Sequence, residues 1–490
     1  MPHLTPHARP NPMRSLLILS TAALAFALAQ TTLIPALGDL KTQLHTDSSG
    51  VAWTLTGYLV AAAIFTPLFG RLGDMFGKRR MLVASLAAFV FGSLVAALGS
   101  SLEIVVLGRV LQGVGGGIFP LCFGIIRDEF PRDRVGQSIG LISATLGIGG
   151  GLGLVIGGLL VDHATYHYIF WLSAVMSAAA AVAIWLYIPE SPERTPGKVD
   201  LRGAFVLGVG LVLPMIAISR ANTWGWSAPE TLGLIAAGLL VLAAWVQLER
   251  KTEEPLADVT VLASAPVLMT NVATLFIGFG MFGSYILIPQ LAEAAKSTGY
   301  GFGLSATAAG VLMLPSALAM LFVGPLSGIL GARMGNKVPL TLGGLATGAG
   351  MILMGFMHGS VAEILIFNTI TSVGVGLAYA AMPNLIVDAV PRHQTGQATG
   401  FNAVVRSVGS SLGSQVTAAV LAGSVLGATG LPGDSGYTAA FVISGVVALV
   451  AAGAAVLIPR TSHGHGTVGA EIGAAAPLGE PVPVYANAER

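Results

Sequence analysis

Apolar stretches of about 20 residues recur along this 490-residue chain, separated by short segments that carry most of its charge. A helix rises 1.5 Å per residue, so each stretch is long enough to cross roughly 30 Å of hydrocarbon. Charged residues are 10% of the chain and apolar ones 54%, whereas an average soluble domain has about 25% charged residues. The bilayer is therefore the solvent, and an all-α polytopic membrane protein is expected. A net charge of +1, with basic residues scattered through short loops, argues against a nucleic-acid partner. The single cysteine, Cys122, cannot form an intrachain disulfide and reads as a small packed thiol.

Apolar runs set against charged or Pro/Gly breaks divide the chain as follows. Residues 1–13 form a leader, and 14–188 hold six spans. Residues 189–265 form a linker containing two extra spans, 266–458 hold six more, and the Gly/Ala/Pro-rich tail 459–490 reads as disordered. The first span is read as retained, because many spans follow and no small-residue cleavage site is evident. The total is fourteen transmembrane helices.

Positive loops stay cytoplasmic. With the amino terminus inside, nineteen of the 24 Lys and Arg residues fall on the cytoplasmic side. Three, Lys41, Arg220 and Lys296, fall outside, and Arg109 and Arg406 lie within spans. Both termini are thus expected in the cytoplasm, and the protein in the cell membrane.

The two six-span blocks repeat one another. A shift of 258 aligns Pro67, Gly70, Leu72, Gly73 and Gly77 with Pro325, Gly328, Leu330, Gly331 and Gly335. A shift of 260 aligns Glu103, Asp128, Pro131, Arg132, Gly136, Gln137, Gly140, Gly149 and Gly153 with Glu363, Asp388, Pro391, Arg392, Gly396, Gln397, Gly400, Gly409 and Gly413. Two related bundles with a pair of helices inserted between them explain this pattern, and a cavity between the bundles is the default ligand site.

The loop after the second span, Gly70-Arg71-Leu72-Gly73-Asp74-Met75-Phe76-Gly77-Lys78-Arg79-Arg80, resembles motif A of the major facilitator superfamily. The resemblance implies the major facilitator fold. It also implies a conformational switch in which Gly70 and Gly77 permit tight turns while Asp74, Lys78, Arg79 and Asp128 form ion pairs that break as the bundles rock. The second copy has Ala332 where the first has Asp74. In the fourth span, Gly108-Arg109-Val110-Leu111-Gln112-Gly113 is similar to motif B. A buried arginine there either lines water or is tied to backbone carbonyls. The fifth span, Gly149-Gly150-Gly151-Leu152-Gly153-Leu154-Val155-Ile156-Gly157-Gly158, resembles the exporter-associated motif C, with Leu154 in place of its usual proline. Helix packing alone also accounts for Gly149, Gly153, Gly157 and Gly158.

Trp53, Tyr58, Trp224-Gly225-Trp226 and the Asn402/Arg406 pair are similar to the fourteen-span drug:proton antiporters. An aromatic belt at the membrane interface is the other reading of the aromatic residues. That branch usually has an aspartate in its first span. Here no acid lies between Leu16 and Ala36, and Gln30 is the most polar interior residue. Candidate proton carriers are therefore end-lying acids: Asp39, Glu103, Glu293 and Glu363. The candidate cavity residues are Gln30, Arg109, Gln112, Asn402 and Arg406.

The expected function is proton-coupled efflux of small amphipathic or cationic compounds by alternating access. The expected partners are a small-molecule substrate, protons and the lipid bilayer, the chain acts as a monomer, and no cofactor or metal is called for. Uptake of a metabolite by the same fold is the alternative, and a non-transporting scaffold is a third reading. An enzyme would need converging acids, nucleophiles or metal ligands within the bilayer. His163 and His167 have helical metal-ligand spacing but no clear third ligand.

Overall fold

The computed structural model describes residues 12–459 except 47, 192–193, 195–199, 254, 392–393 and 425–431. Most of the leader, the tail after Pro459 and part of the first linker lie outside the described residues. Among the described residues the architecture is all-helical. In the first part of the chain run α1 (Pro12–Thr31), α2 (Leu37–Gln43), α3 (Ser48–Phe76), α4 (Lys78–Leu98), α5 (Leu102–Val114), α6 (Ile118–Glu129), α7 (Arg132–His163) and α8 (His167–Tyr187). Then come α9 (Leu201–Trp224), α10 (Pro229–Lys251) and the short α11 (Val259–Leu262). The last part holds α12 (Ala265–Glu293), α13 (Ala306–Leu312), α14 (Leu314–Met334), α15 (Lys337–Phe356), α16 (Val361–Ala389), α17 (Thr395–Gly423) and α18 (Asp434–Val456).

Two of the expected spans are broken rods. A 3-10 turn over Gly115–Gly117 joins α5 to α6, and α13 meets α14 at Met313, just before Pro315 at the start of α14. Among the described residues, thirteen helical segments are long and apolar enough to cross a membrane. The fourteenth rod, α17, is 29 residues long but rich in Ser, Gly and Thr and carries Arg406. A helix sheltered by protein along much of its length needs less apolar surface than one facing lipid. The short α2 between the first two spans was not anticipated from the sequence.

Turns between spans use glycine where the backbone demands it. Gly77, between α3 and α4, has φ of 107°, and its repeat partner Gly335, between α14 and α15, has φ of 87°. Side-chain-bearing residues avoid this region because of Cβ clashes.

The same helix pairs recur in each block. Helix α1 packs on α7, α4 on α8 and α5, and α3 on α5; correspondingly α12 packs on α17, α15 on α18 and α16, and α14 on α16. The blocks meet along two seams, α3 against α17 and α7 against α14. The inserted α9 and α10 pack together and lie against the first seam. Trp245 of α10 stacks on Phe401 of α17 at 6.0 Å with the rings 7° from parallel, and Leu207 and Leu211 of α9 share an apolar cluster with Ala63 and Val404.

Candidate functional site

At the end that carries the basic loop 77–80, here called the basic end, the halves come into close backbone contact. A Cβ on Gly70 of α3 would lie 2.3 Å from the carbonyl oxygen of Gly396 in α17. A Cβ on Gly328 of α14 would lie 2.4 Å from that of Gly136 in α7. Gly70 and Gly328 are repeat partners, as are Gly396 and Gly136, so one contact occurs twice, related by the internal repeat. Arg127 adds a cross-seam clamp by donating to the carbonyls of Val390 at 2.8 Å and Pro391 at 3.3 Å and to the Thr395 hydroxyl.

Beside the first seam lies a buried charge cluster. Lys78 Nζ is 2.5 Å from Asp128 Oδ2 and 3.6 Å from Asp74 Oδ1. These side chains are 1% exposed or less. The lysine stem runs over Gly124, where a Cβ would stand 2.6 Å from Lys78 Cδ. Asp74 Oδ2 also accepts the backbone N–H of Gln397, in the other half, at 3.3 Å. Asp128 Oδ2 additionally accepts the Ser191 hydroxyl. Arg79 is placed apart from this triad. Its side chain turns to the Ile188 carbonyl and the Trp185 ring, and Glu190 receives the backbone N–H groups of both Arg79 and Arg80 at the start of α4.

Arg109 is a four-way tie. Its guanidinium donates to the carbonyls of Thr54 (2.9 Å) and Ala29 (3.2 Å) and to Gln112 Oε1 (2.7 Å), and it sits 4.2 Å from the centre of the Tyr58 ring. Gln112 in turn donates to Ser93 Oγ at 2.7 Å. Helices α1, α3, α4 and α5 are thereby joined through one buried cation whose partners are all neutral. The reading of Tyr58 as an interfacial belt residue gives way here: it is 1% exposed and its ring separates Arg109 from a central cleft.

That cleft lies between the halves and is lined by α1, α3, α7, α12, α16 and α17 among others. Its walls are aromatic and polar: Phe26, Tyr58, Phe119, Tyr285 and Tyr379, with Gln30 on one side and Arg406 on the other. The Arg406 guanidinium stands 5.2 Å from the centre of the Tyr379 ring. Asn402, one turn away, faces α12 instead and donates to Asn271 and Thr274, each at 2.8 Å. Sequence spacing put Asn402 and Arg406 on one helix face, yet only Arg406 reaches the cleft.

The glycines of the fifth span pack α7 onto α1. A Cβ on Gly149 would meet Ala27, one on Gly153 would meet Thr31, and one on Gly157 would lie 2.2 Å from the Thr32 carbonyl oxygen. Gly158 faces Thr307 across the second seam. Helix α7 runs unbroken through Leu154, which is 3% exposed and inserts among α12 and α13 side chains of the other half.

The four end-lying acids are placed away from the cleft. Glu363 completes a capping box with Ser360, and Glu103 occupies the first turn of α5 and is exposed. Glu293 is exposed at the end of α12. Asp39 is half-buried on α2 and accepts the Gln43 amide at 2.6 Å.

Sequence reasoning missed several participants. Gln397 appeared only as a repeat match, yet its side-chain amide donates to the Leu256 carbonyl while its backbone meets Asp74. Glu249, 2% exposed, holds the Ala257 N–H at 3.1 Å, so the segment after α10 is tied back to α10, while the Gln397–Leu256 bond ties it to the start of α17. Glu190 and Ser191 looked like linker residues. The repeat was the signal that could have found Gln397, because it aligns that residue with Gln137 immediately after a seam glycine.

Comparisons with known proteins agree with this architecture. The family model "Major Facilitator Superfamily" matches residues 19–414 and, in a second match, 271–487. The tetracenomycin C resistance and export protein of Streptomyces glaucescens is 29% identical over 421 residues, 85% of this chain and 77% of that protein. Multidrug resistance protein 3 of Bacillus subtilis is 26% identical, covering 79% of this chain and 75% of its own length. The uridine/deoxyuridine transporter of Lactococcus lactis is 29% identical, covering 80% and 84%. The crystal structure of the human organic anion transporter MFSD10 superposes with a TM-score of 0.62 at 16% identity, covering 91% of this chain and all of that one. With two six-helix blocks, a cleft between them and a family match over most of its length, this chain belongs to the major facilitator superfamily and is a transporter, not an enzyme.

Proposed function

We propose that the protein is a proton-coupled exporter of small amphipathic compounds, working by alternating access as a monomer in the cell membrane. We read it as a member of the fourteen-span drug:proton antiporter branch, with the basic end and both termini in the cytoplasm. The observation that carries the reading is the central cleft closed toward the basic end by two repeat-related glycine contacts and by the Asp74–Lys78–Asp128 cluster beside one of them. Such a closure is bistable, because packed helices reseat as units and do not deform continuously. Parting the seam would take the Gln397 N–H away from Asp74, so the charge cluster is sensitive to the state of the gate.

The export direction draws on the names of two relatives, the tetracenomycin C exporter and multidrug resistance protein 3. A second reading is uptake of a metabolite by the same fold; the chain is also 29% identical to a uridine/deoxyuridine transporter, whose name gives no direction. Everted membrane vesicles loaded with the protein separate the two. Export predicts accumulation of a fluorescent amphipathic compound inside everted vesicles when their lumen is acidic, and collapse of that accumulation on adding a protonophore. Accumulation only in right-side-out vesicles would establish uptake.

A further inference from the structure

Arg406 is the single charged side chain among those that line the cleft; no Asp, Glu, Lys or His is among them. Among the described residues, neither Arg406 nor Arg109 forms an ion pair with a carboxylate. The two arginines occupy opposite halves and each faces a tyrosine: Arg109 lies 4.2 Å from the Tyr58 ring centre and Arg406 lies 5.2 Å from that of Tyr379. All three hydrogen-bond partners of Arg109 are neutral. The hydroxyls of Ser407 and Ser410 donate back to the carbonyls of Ala403 and Arg406 itself, and among the described residues neither accepts a hydrogen bond from the Arg406 guanidinium.

Two cations without a counter-ion among the described residues therefore flank the aromatic-walled cleft. Their positive potentials add in the space between them, and low-dielectric walls weaken that potential far less than water would. A guanidinium held within a membrane protein is costly until something anionic reaches it. Its planar fork of donors matches a carboxylate or another oxyanion. Phe26, Phe119 and Tyr285 offer ring faces and edges to an apolar body.

We propose that the cleft selects amphipathic compounds that carry an acidic group, which pairs with Arg406 while the aromatic walls hold the apolar part, and that it disfavours cationic compounds. The substrate class is thereby narrowed from the amphipathic or cationic one expected from sequence. The inference rests on the reading of the cleft as the transport site.

The charge preference can be read without knowing the substrate. A cysteine at Ala403, a cleft-lining position one turn before Arg406, is introduced in a Cys122→Ala background. Purified protein is then treated with methanethiosulfonate reagents bearing a sulfonate or a trimethylammonium group, each rate normalised to that of a free thiol. The anionic reagent is expected to react faster by about tenfold or more. Arg406→Gln should lower this ratio severalfold, and Arg406→Lys should retain it. A ratio at or below one, a ratio unchanged by Arg406→Gln, or no labelling by either reagent overturns the proposal.

Binding of carboxyfluorescein and rhodamine 123, which share a xanthene core and differ in charge, is measured in parallel by fluorescence anisotropy. Tighter binding of carboxyfluorescein that is lost in Arg406→Gln supports the proposal, and equal or tighter binding of rhodamine 123 overturns it. If the anionic preference holds but vesicles show no export, the exporter reading fails and the charge selectivity of the cleft stands.

Discussion

The Asp74 carboxylate of one half accepts the backbone N–H of Gln397 in the other half at 3.3 Å, while Lys78 lies between Asp74 and Asp128. A backbone donor cannot be removed by a side-chain change at Gln397, so the acid is the accessible partner. Asp74→Asn keeps the volume but removes the charge that holds Lys78 on one side. Transport is expected to fall at least about tenfold with insertion intact, corresponding to roughly 1.4 kcal/mol or more in the gating equilibrium. Wild-type flux in this variant would remove Asp74 from the mechanism.

The glycine seams give a second, steric test. A methyl group at Gly70 or Gly328 would meet a carbonyl oxygen at 2.3 or 2.4 Å, and overpacking of this kind costs about 1–3 kcal/mol. Gly70→Ala and Gly328→Ala should each shift the protein away from the closed basic end. The readout is faster labelling of a cysteine placed at Thr66, which lines the cleft just inside the seam, by a reagent supplied from the basic side. Unchanged labelling would mean that the seams are not the gate.

Arg109 should behave as a tie between helices more than as a substrate contact. Arg109→Lys keeps the charge but cannot serve the Thr54, Ala29 and Gln112 oxygens with one planar fork. A loss of about 2–4 kcal/mol is expected, seen as a drop in thermal stability of the detergent-solubilised protein. Substrate affinity of the surviving folded fraction should change little. A stable variant with weakened binding would place Arg109 in the substrate site.

Orientation is tested by thiol labelling in the Cys122→Ala background. Arg194 is exposed on the basic side and Ser227 is exposed at the opposite end, between α9 and α10. Cysteines at Arg194 should be shielded from impermeant reagents in intact cells, and those at Ser227 should react. The opposite pattern would invert the topology. Ser191, although it lies in the same linker, is unsuitable because it is 2% exposed and bonded to Asp128.

Proton coupling through the end-lying acids now distinguishes among the four candidates. Glu103 and Glu293 are exposed and Glu363 is occupied in a capping box, whereas Asp39 is half-buried. Asp39→Asn is expected to abolish the response of transport to a pH gradient while sparing downhill exchange. Glu103→Gln and Glu363→Gln should leave the response within about twofold, with at most the ~1 kcal/mol stability cost of a weakened cap. A full pH response in Asp39→Asn would exclude it as the carrier.

The sequence alone determined the membrane as solvent, the helical spans and the two-block repeat, because each rests on local hydropathy or on spacing along one helix. It also singled out Asp74, Lys78, Asp128, Arg109 and Arg406, since ionisable residues stand out against apolar spans. Tertiary structure decided which of these meet. Side chains one turn apart share a helix face in any helix, but what that face looks onto depends on neighbouring helices hundreds of residues away. Arg406 therefore reaches the cleft while Asn402 binds α12, and Arg79 turns to Glu190 while Lys78, its neighbour, reaches two aspartates. Backbone contacts such as Gly70 with Gly396, or Gln397 N–H with Asp74, leave no side-chain signature beyond a small residue. Only the packed halves bring them together, because close approach of two helices is a property of the pair.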